Sequence, residues 1–407
     1  MGKFQEVLAE NLLRKQRIEE GKYNCLPFPF ERFRRIYPGV ERGKFIIITA
    51  NQKVGKSKLA DYLFIYEPLF FMVEHPEAHL KVKSLYFSLE MSATEKYNEF
   101  LCHLLYRLDG IHIDTRALRS VDAPCDQRIF DLLESERYQK YIQAYEDMVI
   151  FNDTDKNPTG IRKFYREYAL AHGHYNYITV ETSDEFGVKG EKQIIDPINP
   201  YTQDDEEEWR FIILDNAANI LPEKGFDKQK EAINKVSKDG ITAKKQLKYI
   251  FVLIQHQAQA QEGIENFKLN RLLPSADGLG NDKETIRDVN CAIGLFNPFK
   301  FDLRNFMNYD ITRLKNYARF LNIIDDRDYG AAGNICPLFF DGATSMFAEL
   351  PLPNDTEGMN KVYQYIDKLS SKNTLLFTLN KQFNKKLASN KIKDYLCELF
   401  RINKSRS

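Results

Sequence analysis

Residues 44–57, KFIIITANQKVGKS, decide how this chain is read. Phe45 to Ile48 are four consecutive apolar residues, the length and branched composition of a short buried strand. Ala50 to Ser57 then spell A-x-x-x-x-G-K-S, a phosphate-binding loop with alanine where a first glycine usually stands. Gly55 lets the backbone curl so that successive amides face bound phosphates, and a helix starting near Lys56 brings its positive end to the same place. The pattern assigns Ala50, Asn51, Gln52, Lys53, Val54, Gly55, Lys56 and Ser57 to a nucleoside triphosphate. Within it Lys56 serves the β- and γ-phosphates and the Ser57 hydroxyl a magnesium ion. So degenerate a pattern recurs by chance, and the flanking strand and helix, the latter from Lys58 to about Glu67, carry the inference.

Bulk properties narrow the class. A chain of 407 residues with 43% hydrophobic content can bury a large core, as one embellished domain or two. Lys plus Arg and Asp plus Glu both total 58, so no global basic field announces nucleic acid and any such surface must be local. Cys25, Cys102, Cys125, Cys291, Cys336 and Cys397 are scattered, with no C-x-x-C pair, and read as reduced thiols in a cytosol. The N-terminus carries Lys3, Glu6 and Glu10 where a signal peptide would be apolar. No window reaches the length of a membrane span, so no membrane partner is expected.

Outward from the loop, Phe4, Val7, Leu8 and Leu12 share one face of an amphipathic helix over residues 3–20, which either packs on its own domain or docks on a neighbouring subunit. Pro27 and Pro29 separate that helix from the nucleotide-binding core. KSLYFSLEMS at 83–92 is a strand running into a turn with Glu90 at its tip, where a carboxylate can orient water against a γ-phosphate. Residues 93–145 read as helical scaffold, residues 147–153 and 174–180 as strands around a helix at 160–171, and residues 181–208 as an inserted hairpin or loop with an acidic run. WRFIILDN at 209–216 is a strand ending in Asp215, which would hold magnesium directly or through water. Between Lys224 and Lys248, eight lysines stand against three acids. The next strand, from Tyr249, leads into Gln255-His256-Gln257; a glutamine there can sense the γ-phosphate. His256 reads as a packed or surface side chain, and the adjoining loop carries Lys268 and Arg271.

FSLEMS, downstream of the phosphate loop, resembles the replicative hexameric helicases of the DnaB family. The likeness continues through WRFIILDN, IFVLIQHQ at 250–257 and the stretch from Ser275 to Pro298. It extends over 326–350, where Arg327, Gly330, Gly333, a strand and Phe347 come in the family's order. It covers roughly residues 24–351. It implies an α/β fold of RecA-like P-loop NTPase type, a mainly parallel twisted sheet flanked by helices. By the same likeness Glu90 is the general base, Lys56 and Ser57 bind phosphate and magnesium, Asp215 supports the metal, Gln255 or Gln257 is the sensor, and Arg327 is a finger reaching into the next subunit's nucleotide. Asp325 stands where relatives carry a second basic residue, the turn after Arg327 is one residue longer, and the family's N-terminal helical domain has no counterpart.

The expected organisation is a docking helix over 1–23, a motor domain over 24–353 and a basic helical extension over 354–407. Residues 361–407 of that extension hold eleven Lys or Arg against three acids. The expected function is an ATP- and Mg2+-dependent replicative DNA helicase, a hexameric ring on single-stranded DNA, of phage type in a host cytoplasm, with a primase or loader as further partner. Lys224, Lys228, Lys268 and Arg271 are the expected DNA contacts. A filament-forming recombinase and a non-catalytic nucleotide-binding assembly protein are the alternatives.

Overall fold

The computed structural model describes residues 2–183, 189–269 and 271–371. Its apolar runs form one nine-stranded sheet. The strands are β1 (Phe45–Ala50), β2 (Lys81–Ser88), β3 (Val149–Asn152), β4 (Glu208–Asp215), β5 (Ile250–His256), β6 (Cys291–Phe296), β7 (Ala318–Asp326), β8 (Ile335–Asp341) and β9 (Met346–Glu349). They lie in the order β9-β8-β7-β6-β1-β5-β4-β2-β3. All neighbours from β6 to β3 are parallel, and β7, β8 and β9 add an antiparallel end. The expected α/β class with a mainly parallel sheet is therefore what the chain forms.

Both faces of the sheet are covered, as parallel sheets require. Helix α1 (Lys3–Glu19) lies outside the layers, which α2 (Lys56–Asp61), α3 (Glu67–Glu74), α4 (Ala93–Asp109), α5 (Glu136–Met148), α6 (Pro158–Ala171), α7 (Gln229–Gln246) and α8 (Thr356–Ser371) supply. Alternate residues of each strand serve opposite layers. Ile46, Ile48, Ile213, Val252 and Ile254 pack with Leu59, Leu69, Phe100 and Ile142 from α2 to α5. Phe45, Ile47, Leu214, Phe251 and Leu253 pack with Tyr165 of α6 and Ile233 and Val236 of α7.

Two departures from the expected elements have physical causes. The helix after the loop does not stop near Glu67 but runs on to Glu74, because a π-helical turn at Tyr62–Tyr66 widens the register just before Pro68, which has no N–H to give to a normal helical ladder. Residues 174–180 lie outside the main sheet. Gly173–Tyr175 pairs with Tyr201–Gln203, and Tyr177–Ser183 pairs with Lys189–Ile195, so the insertion begins earlier than 181. The second pair lacks a run apolar on both sides and stays exposed, whereas Tyr201 anchors the first in the core. Helix α1 buries none of its residues. Its polar side is tied to its own domain by Arg14–Glu41 at 2.6 Å and Arg17–Glu207 at 2.8 Å, while Phe4, Val7, Leu8 and Leu12 point to solvent.

Cys25, Cys102, Cys125, Cys291 and Cys336 form no disulfide. Among the described residues no helix is long and apolar enough to cross a membrane. The basic stretch read beyond residue 371 lies outside the described residues.

Candidate nucleotide site

The site gathers at the carboxyl ends of the central strands, where α/β sheets bind ligands. β1 delivers the loop, which turns into α2 at Gly55, with φ +109°. A Cβ at that position would stand 3.0 Å from the Phe340 ring, so backbone conformation and packing both require glycine. From beneath, the buried Arg319 donates from Nε to the Val54 carbonyl at 2.7 Å, and its guanidinium lies 4.8 Å from the centre of the Phe340 ring.

Lys56 is buried under the loop, with Nζ 3.2 Å from the Asn51 carbonyl and 2.9 Å from His256 Nδ1. Burial pushes its ammonium down to about 8, against the pull of Asp215 and Glu90. The Ser57 hydroxyl donates to Asp215 Oδ1 at 2.8 Å. Burial acts to raise the Asp215 carboxyl, but Lys96, Ser57 and Tyr86 outweigh it and hold it below the usual range.

Glu90 is exposed at the mouth and accepts from the Asn216 amide. The same amide nitrogen lies 3.2 Å from His256 Nε2, and Asn216 Oδ1 accepts from the Ala218 N–H, which fixes the amide's orientation. Burial, then the Lys56 charge, push His256 down to about 4, so the ring is neutral and offers its one lone pair to Lys56 or Asn216 in turn. Helix α4 starts directly after Glu90 because Ser92 and Glu95 form a reciprocal cap.

The structure thus brings Lys56, Ser57, Glu90 and Asp215 together. The two glutamines considered as sensors do not join them. Gln255 Oε1 accepts from Thr285, and Gln257 donates to Thr49 Oγ1 and the Ser275 carbonyl. His256, read as packed or surface, takes the facing position. On β5 it shares a side with Val252 and Ile254, the layer that holds α2, whereas Gln255 goes with Phe251 and Leu253 to the other layer. Asn216 and Lys300 also carried no sequence signal; Lys300 Nζ is 3.4 Å from the Gln52 carbonyl and pairs with Glu262.

Arg327 lies at the other end of the sheet, beside Asn290, and donates to the Arg287 carbonyl at 2.8 Å, so it does not reach its own chain's loop. Lys224, Lys228, Lys268 and Arg271 are exposed on segments that come after β4 and β5.

Magnesium fits the donor set. Ser57 Oγ and Asp215 Oδ1 are hard oxygens side by side, and no cluster of three or more His, Cys, Asp or Glu able to hold a metal occurs among the described residues. Such a pair suits an ion that arrives with phosphates and keeps waters rather than one caged by protein.

The fold recurs in solved ATPase domains. One ATPase domain matches with TM-score 0.57 at 15% identity, over 86% of this chain and 100% of that one. A DnaB-like replicative helicase, solved with attention to its interactions with primase, matches with TM-score 0.57 at 14% identity, over 86% of this chain and 68% of the other. No family model matches the chain, and no curated protein does. At this identity the likeness establishes the fold alone, an α/β domain with a mainly parallel sheet shared with these solved domains.

Proposed function

We propose that the chain hydrolyses ATP to drive a replicative helicase along single-stranded DNA, working as a hexameric ring. The observation that carries this is the convergence of Lys56, Ser57, Asp215, Glu90 and His256 on one loop within that fold. Gly55 turns the loop amides toward the phosphates, and Lys56 exchanges its contact with His256 for one with phosphate oxygens. Ser57 and Asp215 would hold Mg2+, whose charge offsets that of the β- and γ-oxygens. Glu90 orients the attacking water and takes its proton, and Asn216 keeps that carboxylate aimed. His256, within reach of both Lys56 and Asn216, registers whether a γ-phosphate is present.

The ring reading draws on α1 and on Arg327, which is free of its own chain's site and available to a neighbour's nucleotide. Contact with a primase belongs to the same reading.

ATP turnover with and without single-stranded DNA tests it. Glu90→Gln should lower kcat at least about 100-fold while nucleotide binding persists. Binding without turnover in the unaltered chain would instead support a non-catalytic assembly role.

A further inference from the structure

Directly behind the loop lies a buried polar group centred on Lys96, which no motif read from the sequence contains. Lys96 is buried on α4, its Nζ 2.9 Å from Asp61 Oδ2 and 3.1 Å from Asp215 Oδ2. The Tyr86 hydroxyl lies 2.9 Å from Asp61 Oδ1 and 3.1 Å from Asp215 Oδ2. A fully buried lysine is rare unless paired, and the first turns of a helix, where Lys96 sits, disfavour a cation. Helix preference therefore does not account for it; the two carboxylates do.

We propose that Lys96, with Asp61 and Tyr86, is a positioning residue that clamps Asp215 for magnesium–nucleotide binding. This rests on the reading of Ser57 and Asp215 as the metal-holding pair. Lys96 and Tyr86 occupy Oδ2 of Asp215, so the carboxylate cannot rotate and presents Oδ1 alone to Ser57 and the site. The clamp also joins four elements. Asp61 ends α2, the helix of the phosphate loop; Tyr86 is on β2; Asp215 ends β4; and Lys96 is on the helix capped just after Glu90. The carboxylate beside the metal position and the segment carrying the general base thus move as one piece. Glu99 extends the connection, 3.9 Å from Lys96 and 2.7 Å from Lys58 of the loop helix.

The test titrates Mg2+ against binding of a fluorescent ATP analogue by the full chain, for the unaltered protein, Lys96→Met and Tyr86→Phe. Outer-shell partners of a metal ligand typically govern 10- to 100-fold in affinity, so the Mg2+ half-saturation should rise about tenfold or more in Lys96→Met and less in Tyr86→Phe. Binding of the analogue in chelator should stay unchanged in both. A residue that merely filled the core would alter the two arms together or neither. If Lys96→Met does not fold, Tyr86→Phe, which removes a single oxygen, decides by the same titration. Metal-dependent binding in the unaltered chain with unshifted variants overturns the clamp alone. No metal-dependent binding in the unaltered chain overturns the clamp and the functional reading together.

Discussion

His103 shows how one buried side chain makes stability depend on acidity. It sits inside α4 with its ring stacked on Tyr66 at 4.4 Å and Nδ1 2.9 Å from the Thr344 carbonyl. Facing a carbonyl, Nδ1 carries the proton, which leaves Nε2 a bare lone pair in the core. Burial pushes the imidazole down to about 3; the Thr344 carbonyl opposes this, and Arg107 and Lys58 add to it. The folded value lies below the unfolded one, so the unfolded chain takes up the proton first. Stability from the neutral ring is therefore whole above about pH 6.5 and falls by roughly 1.4 kcal/mol per unit as pH drops toward 3. His103→Phe loses the carbonyl contact but cannot be protonated. Its deficit against the unaltered chain, measured by urea unfolding, should shrink by about 1.4 kcal/mol between pH 7.5 and 5.5. An unchanged deficit would mean that His103 titrates normally. The contrast between Lys56 and His256 belongs to the same scale. Lys56 was legible because its pattern is contiguous. His256 was not, because β5 is apolar on both faces, so nothing in the sequence marks which of three consecutive polar residues shares the side of α2.

Among the elements, α1 is a long helix whose apolar face stays exposed in the described chain. Since its fold is held by Arg14, Arg17 and the backbone, polar replacement of that face should leave the domain intact. Leu8→Ser with Leu12→Ser should reduce the mass seen by light scattering toward that of one chain, with little change in melting temperature. A large drop in melting temperature with the assembly unchanged would show that the helix serves its own domain. Apolar runs marked the strands at 45–50, 83–88, 209–215 and 250–254, whereas the buried β7 (Ala318–Asp326) was not read as a strand from its own residues. The insertion was harder to bound, because Tyr177–Ser183 and Lys189–Ile195 find their pairing only in each other, and exposed hairpins carry no core-facing alternation.

For the whole molecule, the proposed ring places DNA against the segments that come after β4 and β5. Reversing the charge of Lys224, Lys228, Lys268 and Arg271 together should lower single-strand affinity. If each of the four meets a phosphate, the salt slope of log affinity should fall by about 3. An unaltered slope would move the DNA path elsewhere. Imaging with an ATP analogue and single-stranded DNA should show closed rings; open filaments would favour the recombinase reading instead.

Order along the chain is enough for whatever lies within one uninterrupted stretch: the strand-loop-helix of 44–57, the acid at the tip of FSLEMS, the strand ending in Asp215, and from these the α/β class. Only packing brings His256 to face Lys56, leaves Arg327 at the far end of the sheet, and gathers Lys96, Asp61, Tyr86 and Asp215 in the core. The reason is physical. Local patterns are written in neighbouring residues, whereas the facing of a doubly buried strand and the pairing of distant charges are fixed only when separate elements come together.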